Sequence, residues 1–153
     1  GYGKILNKSQ ISKLNGTIIN LHMGCLPFAR GIYPLLRSII FTKPVGFTIH
    51  LMSSNIIDDG PILYRKTIDY KKTDSLKQIH FNCKREIEKY FISNFDKILS
   101  YKKKLKKHRS FKSYYFSRKC SKKLLYELPN KWNTTADYIK INSKTLKKIY
   151  QRN

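Results

Sequence analysis

The sequence predicts an α/β fold, because strand-type and helical segments follow one another within the first hundred residues. Three segments are apolar and β-branched, or alternate between apolar and polar residues, which is typical of strands. Two others carry apolar residues at helical spacing. The strands are expected at 17–22, 45–52 and 62–70, and the helices at 32–41 and 73–99. The order is therefore strand, helix, two strands, helix.

Local signals support each element in turn. A short helical turn at 8–14 is closed by Asn15-Gly16, a common turn pair. Pro34 fits the first turn of the first long helix, where proline is tolerated. Thr73 and Asp74 supply capping groups at the start of the second. The apolar stripe of that second helix is Leu76, Ile79, Cys83, Ile87, Phe91, Phe95 and Ile98.

Composition limits the class of protein. A chain of 153 residues with 41% apolar residues can form one domain with a modest core. No apolar run has membrane-spanning length and no signal peptide is visible, so no membrane partner is expected. The three cysteines are widely spaced and form no metal-ligand pair. We therefore expect a reducing, cytoplasmic location and no metal site.

The positive charge is concentrated after residue 100. The net charge is +23, and residues 101–153 hold 17 Lys/Arg against 2 Asp/Glu. Such a segment can bind a polyanion such as tRNA by neutralising phosphates, or it can reflect a coding bias towards Lys, Ile, Asn and Tyr. A dense basic run at 101–110 suggests a boundary there. We expect a catalytic core at 1–100 and a basic, aromatic extension at 101–153, which either adds a packing layer or binds substrate.

Asn20, His22 and Asp58 form the candidate reactive cluster. Asn20 and His22 lie two residues apart at the end of a strand, so alternation places both side chains on one face. If the sheet is parallel, the loop after the 45–52 strand brings Asp58 to the same edge, beyond the carboxyl ends of the strands. An amide and a protonated imidazole can stabilise an oxyanion, and a carboxylate can keep the imidazolium charged. The pKa of His22 is therefore expected to lie above about 6.5.

Several segments resemble those of the formyltransferases that use 10-formyltetrahydrofolate. The segment "NLHMGCLPFARG" at 20–31 is similar to the family's N-x-H-x-S-L-L-P-x-x-R-G. "GFTIHLM" and "IDDGPIL" resemble its G-V-T-x-H and I-D-x-G-P-I-L segments, and "KTDSLKQI" resembles the start of its next helix. "GYGKILNKSQI" looks like the strand and loop that line the folate pocket. Their shared order and spacing identify the chain as a member of this family.

The resemblance implies a fold, a co-substrate and a set of site residues. The fold is the C-terminal part of a Rossmann-like formyltransferase domain, and we expect the N-terminal Rossmann half to be missing from these residues. The implied catalytic residues are Asn20, His22 and Asp58. The backbone of Lys4, Ile5 and Leu6 is implied to hold the pterin ring of 10-formyltetrahydrofolate, and Thr48 to supply a hydroxyl group near the site.

The function of the chain stays open between three possibilities, two of which differ in the amine acceptor. A small acceptor, such as a nucleotide-linked amino sugar or glycinamide ribonucleotide, requires the least additional protein and is preferred. Methionyl-tRNA is the alternative that suits the basic charge. A non-catalytic, nucleic-acid-binding remnant of the fold is the third. Among the other histidines, His50 is expected to pack within its strand and His80 to be structural.

Overall fold

The computed structural model describes residues 8–14, 18–52, 57–102, 115–116 and 118–151. The strands are β1 (Ile19–His22), β2 (Arg30–Gly31), β3 (Gly46–Leu51), β4 (Ile62–Thr67) and β5 (Tyr115–Phe116). The helices are α1 (Lys8–Lys13), α2 (Pro34–Ile40), α3 (Leu76–Ser93), α4 (Phe95–Lys102), α5 (Arg118–Tyr126), α6 (Ala136–Ile141) and α7 (Ser143–Gln151). A 3-10 turn at Lys131–Asn133 precedes α6. None of the described helices is long and apolar enough to cross a membrane.

The predicted strands and helices are present in the predicted order, and the structure adds the short strand β2 between β1 and α2. The second long helix differs from the prediction at its start, because it begins at Leu76 and is capped by Ser75, and also in its continuity. That helix is divided at Asn94, which ends α3 with a backbone φ of −128°. The side chain of Asn94 donates from Nδ2 to the carbonyl of Tyr90 at 3.0 Å, so it occupies an acceptor at the end of α3. An Asn that bonds backbone groups locally competes with helix continuation, and this explains why α4 starts separately.

The main sheet is antiparallel over its described strands, so the condition under which the sequence pattern placed Asp58, a parallel sheet, does not hold. Its order is β1-β3-β4, and both pairs run in opposite directions. The connection between β3 and β4 comprises ten residues, 52–61, whereas a parallel pair needs a crossover of a dozen or more residues. The carboxyl ends of β1 and β3 therefore lie at opposite ends of the strands in the sheet. A site that joins Asn20, His22 and Asp58 lies on a face of the sheet and not at one edge.

One hydrophobic core joins the sheet to helices from both halves of the chain. Phe47 and Ile49 of β3 are fully buried, and so are Ile79 and Ile87 of α3. The same cluster includes residues of the C-terminal helices and the segments around them: Leu124, Leu125, Leu128, Ala136, Ile139 and Leu146. Residues 118–150 thus contribute to the core that supports the sheet.

Backbone hydrogen bonds fasten the segment before α6 to the start of α3. The amide of Leu76 donates to the carbonyl of Thr134 at 2.9 Å, and the amide of Ala136 donates to the carbonyl of Asp74 at 2.8 Å. Ser75 and Thr135 form an antiparallel bridge between the two segments. Each also caps its own helix, because its side chain accepts a hydrogen bond from the first turn. We call this set of contacts the backbone latch.

Candidate active site

The register of β1 and β3 puts four polar side chains on one face of the sheet. Asn20 lies opposite His50, and His22 lies opposite Thr48. Residues directly opposite in an antiparallel pair project to the same side, and so do residues two apart. This shared face, reached by the loop that carries Asp58, is the candidate active site.

Asp58 reaches this face from the loop after β3. Its Oδ1 accepts a hydrogen bond from Asn20 Nδ2 at 3.1 Å, and its Oδ2 accepts one from the Gly31 amide at 2.9 Å. The backbone φ of Asp58 is 51°, in the left-handed region that few residues other than glycine adopt. Strained backbone of this kind is often held at functional sites. The structure thus brings together the three side chains predicted from the sequence.

Arg30 contacts the residues on both sides of Asp58. It is 4% exposed, and its Nε donates to the carbonyl of Ile57 at 2.8 Å. Its Nη1 lies 3.4 Å from the carboxylate of Asp59. These contacts fix the two residues that flank Asp58. Arg30 therefore helps to position the carboxylate of Asp58.

The geometry defines the tautomer of His22. Its Nε2 contacts the carbonyl of Ala29, which can only accept a hydrogen bond, so Nε2 carries the proton. In the neutral ring Nδ1 is then unprotonated, and it faces Asp58 Oδ2 at 3.6 Å. The side chain is 7% exposed. A proton that arrives at Nδ1 would be stabilised by the adjacent carboxylate.

His50 is a member of the site that the sequence did not reveal. It is 1% exposed, and its Nδ1 donates to the carbonyl of Leu51 at 2.8 Å. Its Nε2 is therefore free to accept from Asn20 Nδ2, 3.1 Å away, and it lies 3.7 Å from Asp58 Oδ1. Asn20 is held between Asp58 and His50. The sequence does not show the register of β1 against β3. Alternation predicts which side chains share a face of one strand, but not that His50 lies opposite Asn20.

Burial and charge set the protonation states of the pair. Burial lowers the pKa of His22 below 6.5 and outweighs the opposing effect of the Asp58 carboxylate. Burial alone would raise the pKa of Asp58, but the charge that His22 carries at low pH and the hydrogen bond from the Gly31 amide lower it, to about 2. At neutral pH the resting site therefore holds an ionised Asp58 and a neutral His22. The prediction of a raised pKa for His22 was wrong, because its burial was not visible in the sequence.

Thr48 lies on the same face and supports the site. It is fully buried, and its hydroxyl group donates to the carbonyl of Gly24 at 2.7 Å and accepts from the amide of Leu26 at 3.0 Å. Both bonds stabilise the turn that follows His22. That Thr48 supplies a hydroxyl group to the folate site stays a prediction. The other residues implied to bind the cofactor, Lys4, Ile5 and Leu6, lie outside the described residues.

A cavity of about 440 Å³ opens beside Asn20 and His22. Within the described part of the chain, none of its lining residues is Lys, Arg, Asp or Glu, although the net charge of the protein is +23. Tyr33, His80 and Trp132 also line the cavity. Sequence reasoning placed His80 among structural residues and Trp132 within a basic extension. Neither residue carries a local signal for the cavity, since the backbone latch brings them there.

Comparison with known proteins identifies the family. A family profile described as Formyl transferase matches residues 1–94, which is more than half of the chain. The chain belongs to the formyl transferase family. The formyl transferase segment includes Asn20, His22, His50 and Asp58, so the whole reactive cluster lies within the matched residues.

Three relatives show how far the similarity extends. Human mitochondrial methionyl-tRNA formyltransferase is 32% identical over 79 residues, which cover 51% of this chain and 20% of that enzyme. Phosphoribosylglycinamide formyltransferase of Bacillus subtilis (strain 168) is 27% identical over 100 residues, covering 65% of this chain and 51% of that enzyme. The crystal structure of the formyltransferase PseJ from Anoxybacillus kamchatkensis superposes with a TM-score of 0.79 at 28% identity, covering 91% of this chain and 72% of that one. The chain thus spans about half or less of the length of the two enzymes matched by sequence.

The protonation state of His22 predicts that the protein loses stability as the pH falls below about 6.5. The unfolded chain takes up a proton on histidine near the ordinary pKa of 6.5, whereas folded His22 takes it up only at lower pH. The unfolded state therefore binds more protons in this window and is favoured by acid. Asp58 adds a second loss of stability as the pH falls from 3.8, the ordinary pKa of aspartate, towards its folded pKa of about 2.

Urea unfolding at a series of pH values measures this dependence. His80 contributes in the same direction, because burial lowers its pKa too. The His22→Gln variant isolates the effect of His22, and its unfolding free energy is expected to vary less steeply between about pH 6.5 and 5. An identical slope in the two proteins would contradict the assignment.

Replacement of His50 by Leu is expected to lower kcat about tenfold, the equivalent of roughly one hydrogen bond. The variant removes the acceptor that holds Asn20 Nδ2 at 3.1 Å, while the substrate KM values change less because His50 does not line the cavity. Steady-state kinetics of formyl transfer provide the measurement. His50→Gln keeps an acceptor and should recover part of kcat. Equal losses in both variants would indicate a packing role only.

Proposed function

We propose that this chain carries the catalytic machinery of an enzyme that transfers a formyl group from 10-formyltetrahydrofolate to the primary amine of a nucleotide-linked amino sugar. The observation that carries this proposal is the cluster of Asn20, His22 and Asp58, in which Asn20 Nδ2 lies 3.1 Å from Asp58 and both Asn20 and His22 line the cavity. Membership of the formyl transferase family supports the reaction class. The co-substrate supplies the formyl group, and the residues of this chain manage the proton and the developing charge.

His22 and Asp58 act as the proton acceptor in this proposal. An amine that attacks a carbonyl carbon becomes positively charged and must lose a proton. Neutral His22 offers its unprotonated Nδ1 for that proton, either directly or through a water molecule. Asp58, 3.6 Å away and ionised at neutral pH, then stabilises the imidazolium. The same proton can return to the leaving nitrogen.

Asn20 is the group that can stabilise the oxyanion. Its amide nitrogen has two hydrogens, which in the resting site face Asp58 Oδ1 and His50 Nε2. Donation to a formyl oxygen therefore requires Asn20 to exchange one of these partners. When His22 becomes protonated, its imidazolium is a stronger partner for the Asp58 carboxylate than the Asn20 amide is. The hydrogen bond from Asn20 to Asp58 is then more easily broken, which frees that hydrogen for the formyl oxygen. In the proposed reaction, proton transfer and oxyanion stabilisation are thus linked through Asp58.

Similarity to PseJ supports a folate co-substrate and a nucleotide-sugar acceptor. That structure was solved with UDP-4,6-dideoxy-4-formamido-L-AltNAc and tetrahydrofolate. A match over 91% of this chain necessarily extends well beyond residue 94, into the C-terminal helices. Most of the C-terminal helical region is thus part of a match to an enzyme whose structure contains a nucleotide sugar, and this supports a sugar acceptor for this chain.

Methionyl-tRNA is the second candidate acceptor, and the charge of the extension favours it. Residues 101–153 hold 17 Lys/Arg against 2 Asp/Glu, which suits a phosphate-rich partner. A binding module without catalysis is disfavoured, because such a module would not need an ionised, strained Asp58 beside a buried imidazole. Glycinamide ribonucleotide remains a further small acceptor, given the similarity to the Bacillus enzyme.

Formyl transfer by the full chain tests the proposal. The protein is incubated with 10-formyltetrahydrofolate and each of three acceptors: a UDP-linked 4-amino sugar, glycinamide ribonucleotide and methionyl-tRNA. Mass spectrometry of the acceptor detects the formyl group, and the salt concentration is varied because contacts with tRNA weaken steeply with salt. Transfer to the sugar amine, lost in the Asp58→Asn variant, is the expected result. Transfer to tRNA alone would overturn the proposed acceptor.

A further inference from the structure

Tyr33, His80 and Trp132 form an aromatic wall in the cavity beside the reactive cluster. The ring centroids of Tyr33 and Trp132 are 5.3 Å apart at an angle of 89°, and those of His80 and Trp132 are 5.2 Å apart at 71°. Edge-to-face packing of this kind fixes the orientation of each ring. All three side chains are only partly buried, so the wall offers contact area to a ligand.

We infer that this aromatic wall binds the sugar ring of the amine acceptor, and that Trp132 and His80 determine which amino sugar is accepted. This inference rests on the proposed function and assigns its acceptor site. The reactive amine must reach Asn20 and His22, which line the same cavity. In a nucleotide-linked amino sugar the amine is attached to the sugar ring, so that ring is the part of the acceptor inside the cavity.

The described lining of the cavity is unfavourable for the diphosphate of the acceptor. None of the described lining residues is a lysine or arginine, and a phosphate without a cationic partner would pay a large desolvation cost. An uncharged ring incurs no such cost. Its C–H groups carry partial positive charge and pack favourably against the electron-rich faces of Trp132 and Tyr33. A cavity of about 440 Å³ is large enough for one substituted sugar ring.

His80 adds hydrogen-bonding groups to the wall. Within the described residues, neither of its ring nitrogens has a hydrogen-bond partner, and its contact is with the Trp132 ring. Burial lowers the pKa of His80, with a smaller contribution from the charge of Lys84. The neutral ring offers one donor and one acceptor, the pair that suits a sugar hydroxyl or acetamido group.

The backbone on both sides of the wall is unusual. Tyr33, just before α2, has a φ of 50°, and Lys131, next to Trp132, has a φ of 46°. Left-handed backbone at residues other than glycine carries a free-energy cost and persists where the surrounding structure enforces it. The backbone latch holds the segment of Trp132, since Leu76 and Ala136 bond across it at 2.9 and 2.8 Å. The wall is therefore held in place before a ligand arrives, which lowers the entropic cost of binding.

Trp132 is the only tryptophan of the chain, so its fluorescence reports on the wall directly. The full protein is titrated with a UDP-linked 4-amino sugar, and separately with UDP, with calorimetry in parallel. The amino-sugar nucleotide is expected to give a saturable change in emission, and UDP a much smaller one. Calorimetric binding of the amino-sugar nucleotide with unchanged emission would overturn the inference.

Kinetics of two variants complete the test. Trp132→Leu is expected to raise the KM for the sugar acceptor about tenfold or more, with the KM for 10-formyltetrahydrofolate unchanged. His80→Phe keeps a ring against Trp132 but loses both polar nitrogens, and should raise the acceptor KM without loss of stability. Phe81→Leu is the matched control, since Phe81 is the next residue of α3 and is 63% exposed.

The outcomes separate this inference from the proposed function. Formyl transfer to the sugar amine with an unchanged acceptor KM in both variants overturns the aromatic wall alone. Transfer to no sugar amine, together with no effect of the amino-sugar nucleotide on Trp132 emission, overturns both. A raised acceptor KM in His80→Phe, with wild-type values in Phe81→Leu, supports the assignment of the wall.

Discussion

Replacement of Asp58 by Asn is expected to lower kcat for formyl transfer by about two to four orders of magnitude. The substitution removes the charge that stabilises a proton on His22 Nδ1, 3.6 Å away. The two carboxylate oxygens of Asp58 accept hydrogen bonds from Asn20 and Gly31, whereas the amide of asparagine has only one oxygen that can accept. Without the carboxylate, the pKa of His22 falls further, since Asp58 is the main influence that raises it. Folate affinity should change less, because the change lies in proton transfer.

Asn is the appropriate replacement because it tolerates the left-handed backbone of Asp58. With φ at 51°, an alanine at this position would add strain to the loss of charge, whereas asparagine is among the residues that adopt this region most readily. An NMR titration of His22 in both proteins measures the pKa, and circular dichroism checks the fold. A kcat within about threefold of the wild type would eliminate Asp58 from the proton-transfer step.

Replacement of Gly60 by Ala is expected to lower the free energy of unfolding by about 3 kcal/mol or more. A Cβ atom at Gly60 would lie 1.7 Å from the carbonyl oxygen of Leu51 and 2.7 Å from its carbonyl carbon. Both atoms belong to the backbone of β3 and cannot rotate away. The loop must therefore move as a whole, and it carries Asp58 with it. Stability and kcat should fall together.

Urea unfolding and formyl-transfer assays measure the two effects. Ser93→Ala is a suitable control, because Ser93 is exposed at the end of α3 and an alanine there should change stability by less than about 0.5 kcal/mol. Crystallography of the Gly60→Ala variant would show the displacement of Asp58 directly. Near-wild-type stability would mean that the loop approaches β3 less closely than the structure indicates.

The sequence predicted those parts of the site that depend on local periodicity. Alternation along β1 was enough to place Asn20 and His22 on one face, and the position of Asp58 followed from the family's motif. The parallel direction of the sheet was a wrong assumption, because the order of elements does not determine strand direction. His50 was missed for the same reason, since its partner Asn20 is 30 residues away in sequence and only the pairing register joins them.

Properties that depend on tertiary burial were also beyond the sequence. The pKa of His22 is lowered because the residue is 7% exposed, and an isolated N-x-H pattern carries no measure of burial. Trp132 lies in a basic, aromatic segment that is typical of a solvated surface. Its position in the cavity depends on hydrogen bonds to the start of α3, between residues that are about 60 positions apart.

The backbone latch also sets the order in which a growing chain completes the cavity. Four polar residues of the site are synthesised early: Asn20, His22, His50 and Asp58. The carbonyl of Thr134 and the amide of Ala136 leave the ribosome much later, and until then the start of α3 lacks both partners. Closing contacts across so many residues is a slow step in folding. A nascent chain therefore contains these polar groups before it contains Trp132. Synthesis of the segment before α6 completes the lining of the cavity.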